Sequence, residues 1–201
     1  MILTFLLASI IIELTPGPNM TWLAVLGATR GRKPALAAVA GICLGLALAG
    51  LVAALGLTVL FQTFPSLLAA LRYAGTLYLF YLAYDAWTDA AQHDEIIQKS
   101  NAAYFAQGFI SNALNPKAYL FYAAILPQFL ASASHPYQEL AALTAIYVAV
   151  ATTIHAMIAL LAGSISDWLA TSPWATQVRR MLAVAIALAA CWFFVSTGSL
   201  R

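Results

Sequence analysis

Residues 2–29 read ILTFLLASIIIELTPGPNMTWLAVLGAT, and this stretch decides the fold. It is apolar and long enough to cross a bilayer, since about 20 residues of helix span ~30 Å of hydrocarbon. Near its middle it is interrupted by Thr15-Pro16-Gly17-Pro18. Proline removes a backbone donor and clashes with the preceding turn, and Gly17 adds freedom between two prolines, so the break is too severe for a simple kink. In hydrocarbon such freed backbone survives only where it is buried in protein or lines a wet cavity. The run carries no basic residue ahead of it and contains a glutamate and two prolines, which reads as a retained first span and not a signal peptide.

The rest of the chain is built on the same scale. Of its 201 residues 63% are apolar and 8% charged, against roughly 45–50% and about 25% in a soluble domain. Five further apolar runs cover 35–61, 67–87, 102–130, 139–164 and 178–197, with polar turns between them. The fold class expected is an all-α integral membrane protein of six transmembrane helices in the lipid bilayer. The longest polar stretch, 88–101, reads as an exposed linker with room for a helical turn or two. The net charge of +2 comes from scattered basic residues that form no stripe, so no nucleic-acid partner is indicated. Cys43 and Cys191 sit deep in apolar runs and read as small buried hydrophobes; no metal site is indicated. Short-loop cations set orientation: Arg30, Arg32, Lys33, Lys99, Arg179 and Arg180 fall on one side, Arg72 and Arg201 on the other. Six against two places both termini outside.

A shift of 100 residues lays Phe5 on Phe105, Ile10 on Ile110, Leu14 on Leu114 and Pro16 on Pro116. Leu14-Thr15-Pro16 thus overlays Leu114-Asn115-Pro116, and the fourth run is broken as the first is. Three spans per copy is an odd number, so the second copy enters the membrane from the other side. This predicts two inverted three-helix repeats, 1–100 and 101–201, forming one membrane domain with broken first and fourth helices. Matched breaks of this kind are a common plan for secondary transporters, whose sites lie at the broken helices near the midplane. A structural kink that only serves helix packing is the competing reading.

Around the first break stand Glu13, Thr15, Gly17, Pro18 and Asn19; around the second stand Asn112, Asn115, Pro116 and Lys117, with Gln107 earlier in the same span. An ionisable group in a span costs at least ~2.5–3.5 kcal/mol, so it faces a cavity or a partner. Glu13 is expected to carry a proton or grip a cationic group, and Lys117 to orient a carboxylate or balance Glu13. A static Glu13–Lys117 ion pair is the alternative. His155 ranks lower, as a proton relay or, preferably, a neutral histidine hydrogen-bonded to a neighbouring helix. Asp85, near one end of its span, reads as a carboxylate that reaches water. Tyr73, Tyr78, Phe80, Tyr81 and Tyr84 read as interfacial belt and packing.

Thr15-Pro16-Gly17-Pro18-Asn19-Met20 resembles the first signature of the LysE/RhtB family of amino acid exporters. So do Gly31 in a basic turn, Gly41 and Gly45, and Ala74-Gly75-Thr76-Leu77-Tyr78-Leu79. Asn115-Pro116-Lys117-Ala118, followed by Leu126-Pro127-Gln128-Phe129, resembles the second signature, and the likeness runs nearly end to end. The resemblance implies an exporter of amino acids or close derivatives in the bacterial cytoplasmic membrane, driven by the proton gradient. It also implies that Pro16, Gly17, Pro18 and Asn19 face Asn115, Pro116 and Lys117 across the translocation site. Glu13 stands outside the signature, and its role rests on the physical argument alone. The family's small residue in the third span is Ala83 here, with Asp85 two positions on.

The expected partners are a small zwitterion such as an amino acid and protons as coupling ion, with no cofactor; a homo-oligomer is compatible with this. A membrane enzyme fits poorly. A thiol carrier would place cysteines at the prolines, and a metalloprotease needs a histidine–glutamate cluster, whereas the three histidines are far apart. A passive channel or the membrane subunit of a larger complex would use a wet midplane cavity equally well. The substrate itself is left open among lysine, threonine, leucine and homoserine derivatives.

Overall fold

The computed structural model describes residues 2–15, 17–57, 65–91, 99–130 and 136–196, and every element in them is helical. Pro16, the 62–64 connection, His93, Asp94, Glu95, His135 and Arg201 lie outside the described residues.

The first apolar run is two helices, α1 (Ile2–Leu14) and α2 (Pro18–Arg30), whose axes differ by 64°. α1 closes on Thr15, whose N–H reaches back to the carbonyls of Ile11 and Ile12 (3.1 and 3.2 Å) and whose hydroxyl donates to Ile11 (2.9 Å). Gly17 is extended (φ −138°, ψ 167°), and Pro18 opens α2 at the position where a missing N–H removes no helical bond. After the sharp turn at Gly31 (φ 88°), α3 (Arg32–Val52) runs on into a wide π turn, Ala53–Leu57. α4 (Pro65–Ala91) follows.

The second break mirrors the first in chemistry. α5 (Asn101–Ala113) ends, and α6 (Pro116–Leu120) restarts with proline at its first position. The Asn115 side-chain oxygen accepts the Lys117 N–H at 3.0 Å and so caps the new helix. α6 continues through a π turn, Phe121–Ile125, and a tight 3-10 turn, Leu126–Phe129. Then come α7 (Pro136–Gly163), a short α8 (Ser166–Thr171) and α9 (Ala175–Ser196).

Among the described residues α3, α4, α7 and α9 are each long and apolar enough to cross a membrane, α7 together with the short α8 in one stretch, and the bent α1–α2 pair would make a fifth if it counts as one broken span. The run 102–130 yields no such helix, because Asn115-Pro116 divides it: the 13 residues of α5 reach only about 20 Å at 1.5 Å per residue. Three sequence expectations shift in detail. Thr88 and Asp89 belong to α4 and not to a linker. The connection before α9 contains a helical turn and a half, α8. Cys191 is exposed on α9 and Cys43 half-buried, so apolar runs here turn one face outward. That outward face is itself apolar: Leu3, Leu7, Ile11, Leu77, Leu161 and Leu188 are all more than half exposed. A protein surface of this kind is solvated by lipid.

Close approach of backbones holds the bundle. α3 packs most extensively on α5, and α9 on α4. A Cβ on Gly41 would collide with the Phe105 carbonyl oxygen, and one on Gly108 with the carbonyl oxygen of Ala38. At Gly27 of α2 the fit is tight but less absolute: a Cβ there would stand 3.1 Å from the Ala159 oxygen and 3.1 Å from the Ala162 Cβ of α7. Small residues at such crossings maximise van der Waals contact where lipid supplies no hydrophobic drive.

Candidate functional site at the two helix breaks

α7 crosses α1, α2 and α3 and brings one polar face to the end of α1. Tyr147 donates its hydroxyl to Glu13 Oε1 at 2.5 Å, and His155 Nε2 lies 3.7 Å from Oε2 of the same carboxyl. All three side chains are buried, Glu13 to 4% exposure. Tyr147 is fixed by Phe121, stacked on it at 3.6 Å between ring centroids, and by the Tyr122 ring edge-on at 5.6 Å. Tyr122 is held in turn by a hydrogen bond to the Leu46 carbonyl (3.0 Å).

Lys117 takes a different partner. Its ammonium donates to the carbonyls of Ile12 (2.7 Å) and Thr15 (3.4 Å), the last of α1, so a cation from the second half caps the negative end of a helix in the first. Glu13 and Lys117 therefore form no direct ion pair, and the static-pair reading of the sequence is replaced by two separate sets of contacts. Asn19, at the start of α2, donates to Asn112 Oδ1 (3.3 Å) and accepts from the Ser111 hydroxyl (2.6 Å), which ties the two halves together a second time.

These groups enclose a cavity of about 20 Å³, reached by Glu13, Asn19, Asn112, Asn115, Lys117 and His155. Asn112 Nδ2 and His155 Nδ1 are buried and make no hydrogen bond within the described residues. Buried polar atoms without partners are few in proteins and point to a ligand, water or a function. Against Gly17, Asn115 and Lys117 lies a larger groove of about 450 Å³, walled by apolar side chains including Leu120, Phe121, Ile125 and Trp192. The Lys117 ammonium and the Asn115 amide, which line both spaces, thus stand at the head of an apolar slot. Such a site suits a small molecule with charged and aliphatic ends.

Of the residues singled out from sequence, Glu13, Gly17, Asn19, Asn112, Asn115, Lys117 and His155 come together here. Thr15 is exposed and contributes its carbonyl; Pro18 and Pro116 shape the helix starts. His155 faces Glu13, which makes it a closer member of the cluster than its lone position in sequence suggested. Tyr147 and Ser111 were not singled out. Tyr147 lies eight residues before His155, on the same helical face, and that spacing was the available signal. Asp85 does not reach for water alone: it pairs with Lys99 and accepts from Gln107 (3.5 Å), while Asp89 pairs with Arg30.

Residues 10–197 match the family model described as LysE type translocator. The chain belongs to the LysE translocator family. Among its relatives, a leucine efflux protein of Klebsiella pneumoniae subsp. pneumoniae is 31% identical over 132 residues, 64% of this chain and 62% of that protein. Leucine efflux proteins of Salmonella choleraesuis and Salmonella typhimurium are each 33% identical over 131 residues, 63% of this chain and 62% of theirs. The match thus spans a little over three fifths of these curated relatives. No solved structure matches. Both family signatures fall within the matched range of this LysE-family translocator, and each supplies one side of the enclosed cavity.

Proposed function

We propose that this LysE-family protein is a secondary exporter of amino acids across the bacterial cytoplasmic membrane, with leucine or a similar aliphatic amino acid as substrate and protons as coupling ion. The observation that carries the reading is the convergence of Glu13, Lys117 and three asparagines from the two broken helices on one buried cavity beside an apolar groove. In this mechanism the Lys117 ammonium and the asparagine amides bind the substrate's carboxylate and ammonium, and the groove takes its side chain. Glu13, with Tyr147 and His155, takes up and releases the coupling proton. The relatives' names agree with an aliphatic substrate.

Six spans in two inverted repeats, with both termini outside, complete the proposal. Four contacts support it. The third expected span packs on the sixth (α4 on α9) and the second on the fifth (α3 on α7), pairs that a two-fold relation would map onto themselves. The second-on-fourth contact (α3 on α5) has its counterpart in first-on-fifth (α2 on α7), and both are close glycine crossings. Alternating access then proceeds around the Pro16 and Pro116 breaks.

The test is the intracellular leucine pool of cells loaded with leucine-containing dipeptides. Expression of the protein is expected to lower that pool, and a protonophore to abolish the effect. Efflux that continues unchanged after the gradient collapses would mark a passive channel. A pool unaffected by expression, for leucine and every other amino acid assayed, would sink the substrate class. Tyr147→Phe keeps the ring stack and removes only the hydroxyl on Glu13. A hydrogen bond to a charged group contributes about 1.5–3 kcal/mol, so export is expected to fall roughly 10- to 100-fold at near wild-type abundance; an unchanged rate would take Tyr147 out of the site.

A further inference from the structure

We propose that the basic pocket between the α2–α3 turn, the start of α5 and the α8–α9 connection binds a phosphate-bearing anion, the headgroup of an anionic phospholipid. The pocket is about 590 Å³ and is lined by Arg30, Arg32, Lys33, Lys99 and Arg179, with Asp167 the one carboxylate among the described residues of its lining. Two of the five cations are already neutralised, Arg30 by Asp89 and Lys99 by Asp85. Arg32, Lys33 and Arg179 make no ion pair among the described residues, and Arg179 Nε is buried without a hydrogen bond. Among the described residues Arg32 spends its Nε on the Leu160 carbonyl at 3.4 Å, leaving the guanidinium fork for a ligand. Planar guanidinium groups match phosphate geometry. The N-terminus of α3 opens on the same pocket through Gly31 and has no side-chain cap, which places the positive end of a 21-residue helix beside these cations.

The depth of the pocket favours lipid over a soluble ion. Trp168, next in sequence to the lining Asp167, and Trp174, in the α8–α9 connection, are 66% and 65% exposed, and Arg180 sits over the Trp87 ring at 5.3 Å. Exposed tryptophans at one end of a helical bundle mark the level of the headgroups, and basic pockets between spanning helices at that level hold anionic headgroups. This site shares no residue with the cavity at the helix breaks, so it stands whatever the protein transports.

Native mass spectrometry of the purified protein, titrated with phosphatidylglycerol or phosphatidylcholine, tests the proposal. Phosphatidylglycerol is expected to bind at least tenfold more tightly than phosphatidylcholine. Each basic residue near an anionic lipid is worth about a fivefold change in affinity, so the triple variant R32Q/K33Q/R179Q is expected to lose on the order of 100-fold. Asp167→Asn, which removes a carboxylate from the lining, is expected to tighten binding about fivefold. Should the triple variant not fold, Lys33→Gln alone, an exposed position, carries the test with a fivefold loss. Competition by millimolar inorganic phosphate separates the sources: retention of the lipid supports the headgroup, and displacement assigns the site to a soluble phosphate instead. Equal binding of the two lipids, unaltered by the substitutions, would overturn the proposal.

Discussion

Replacing Lys117 with methionine is expected to abolish amino acid export while leaving the protein in the membrane at close to wild-type abundance. Methionine keeps the apolar stem and loses the ammonium that donates to the Ile12 and Thr15 carbonyls. Two effects then add. The end of α1 loses its cationic cap, at little cost to folding, because the Ile12 carbonyl keeps the Thr15 N–H and the Thr15 carbonyl is exposed. The site also loses the one cation that reaches both the enclosed cavity and the apolar groove, so a substrate carboxylate has no charged partner there. A charge-assisted hydrogen bond is about twice as strong as a neutral one, which places the expected drop in export at 100-fold or more. Arginine is a poor substitute, because its planar fork does not reproduce a compact ammonium on two carbonyls. Leucine efflux from dipeptide-loaded cells reads the effect; efflux at the wild-type rate would reduce Lys117 to a structural clip between the halves.

Gly108→Leu is expected to leave no folded protein to assay. At Gly108 and Gly41 the backbones of α3 and α5 touch, and a β-carbon at either glycine collides with a carbonyl oxygen of the other helix. The helices must part over their whole crossing to admit even a methyl group, and leucine adds three carbons more. Losses above about 4–5 kcal/mol are exceptional for single substitutions and arise from overpacking of this type; a marginally stable protein does not survive them. Membrane abundance and gel-filtration profile in detergent measure the outcome. Gly17→Ala is the informative control. Its backbone is extended, a conformation any residue adopts, and a Cβ there comes no nearer than 3.9 Å to the Thr15 oxygen. That variant is expected to fold, although Gly17 lies in the family signature and Gly108 in neither signature.

The helix breaks were legible because proline acts locally: Pro18 and Pro116 open their helices at the positions the sequence implied. The membrane environment was equally plain, since apolar content and run length are sums over the chain. Pairings were harder. Glu13 and Lys117 were the two charges nearest the expected axis, yet Glu13 turns to Tyr147 and Lys117 to backbone. Which of two neighbours a buried group chooses depends on how α7 is rotated against α1, and no short-range pattern encodes that rotation. Backbone carbonyls at a helix end are acceptors in every sequence, so a lysine that seeks them leaves no mark in residue types. Asp85 was read as solvated because Lys99 lies 14 positions later, beyond a polar stretch whose course the sequence does not fix.

The glycine crossing between α3 and α5 has a consequence for how such chains can change over evolutionary time. At Gly41 and Gly108 the obstructing atoms are main-chain oxygens, which every amino acid carries, so no replacement in the partner helix creates room. Gly50 differs: its neighbours are the Thr144 methyl and the Tyr122 ring, which smaller side chains would withdraw. Compensating changes can therefore accumulate between 50 and 144, while 41 and 108 are held each by itself. Two positions in intimate contact would then vary independently of one another, and a method that infers proximity from correlated substitution would pass over the tightest junction in the bundle.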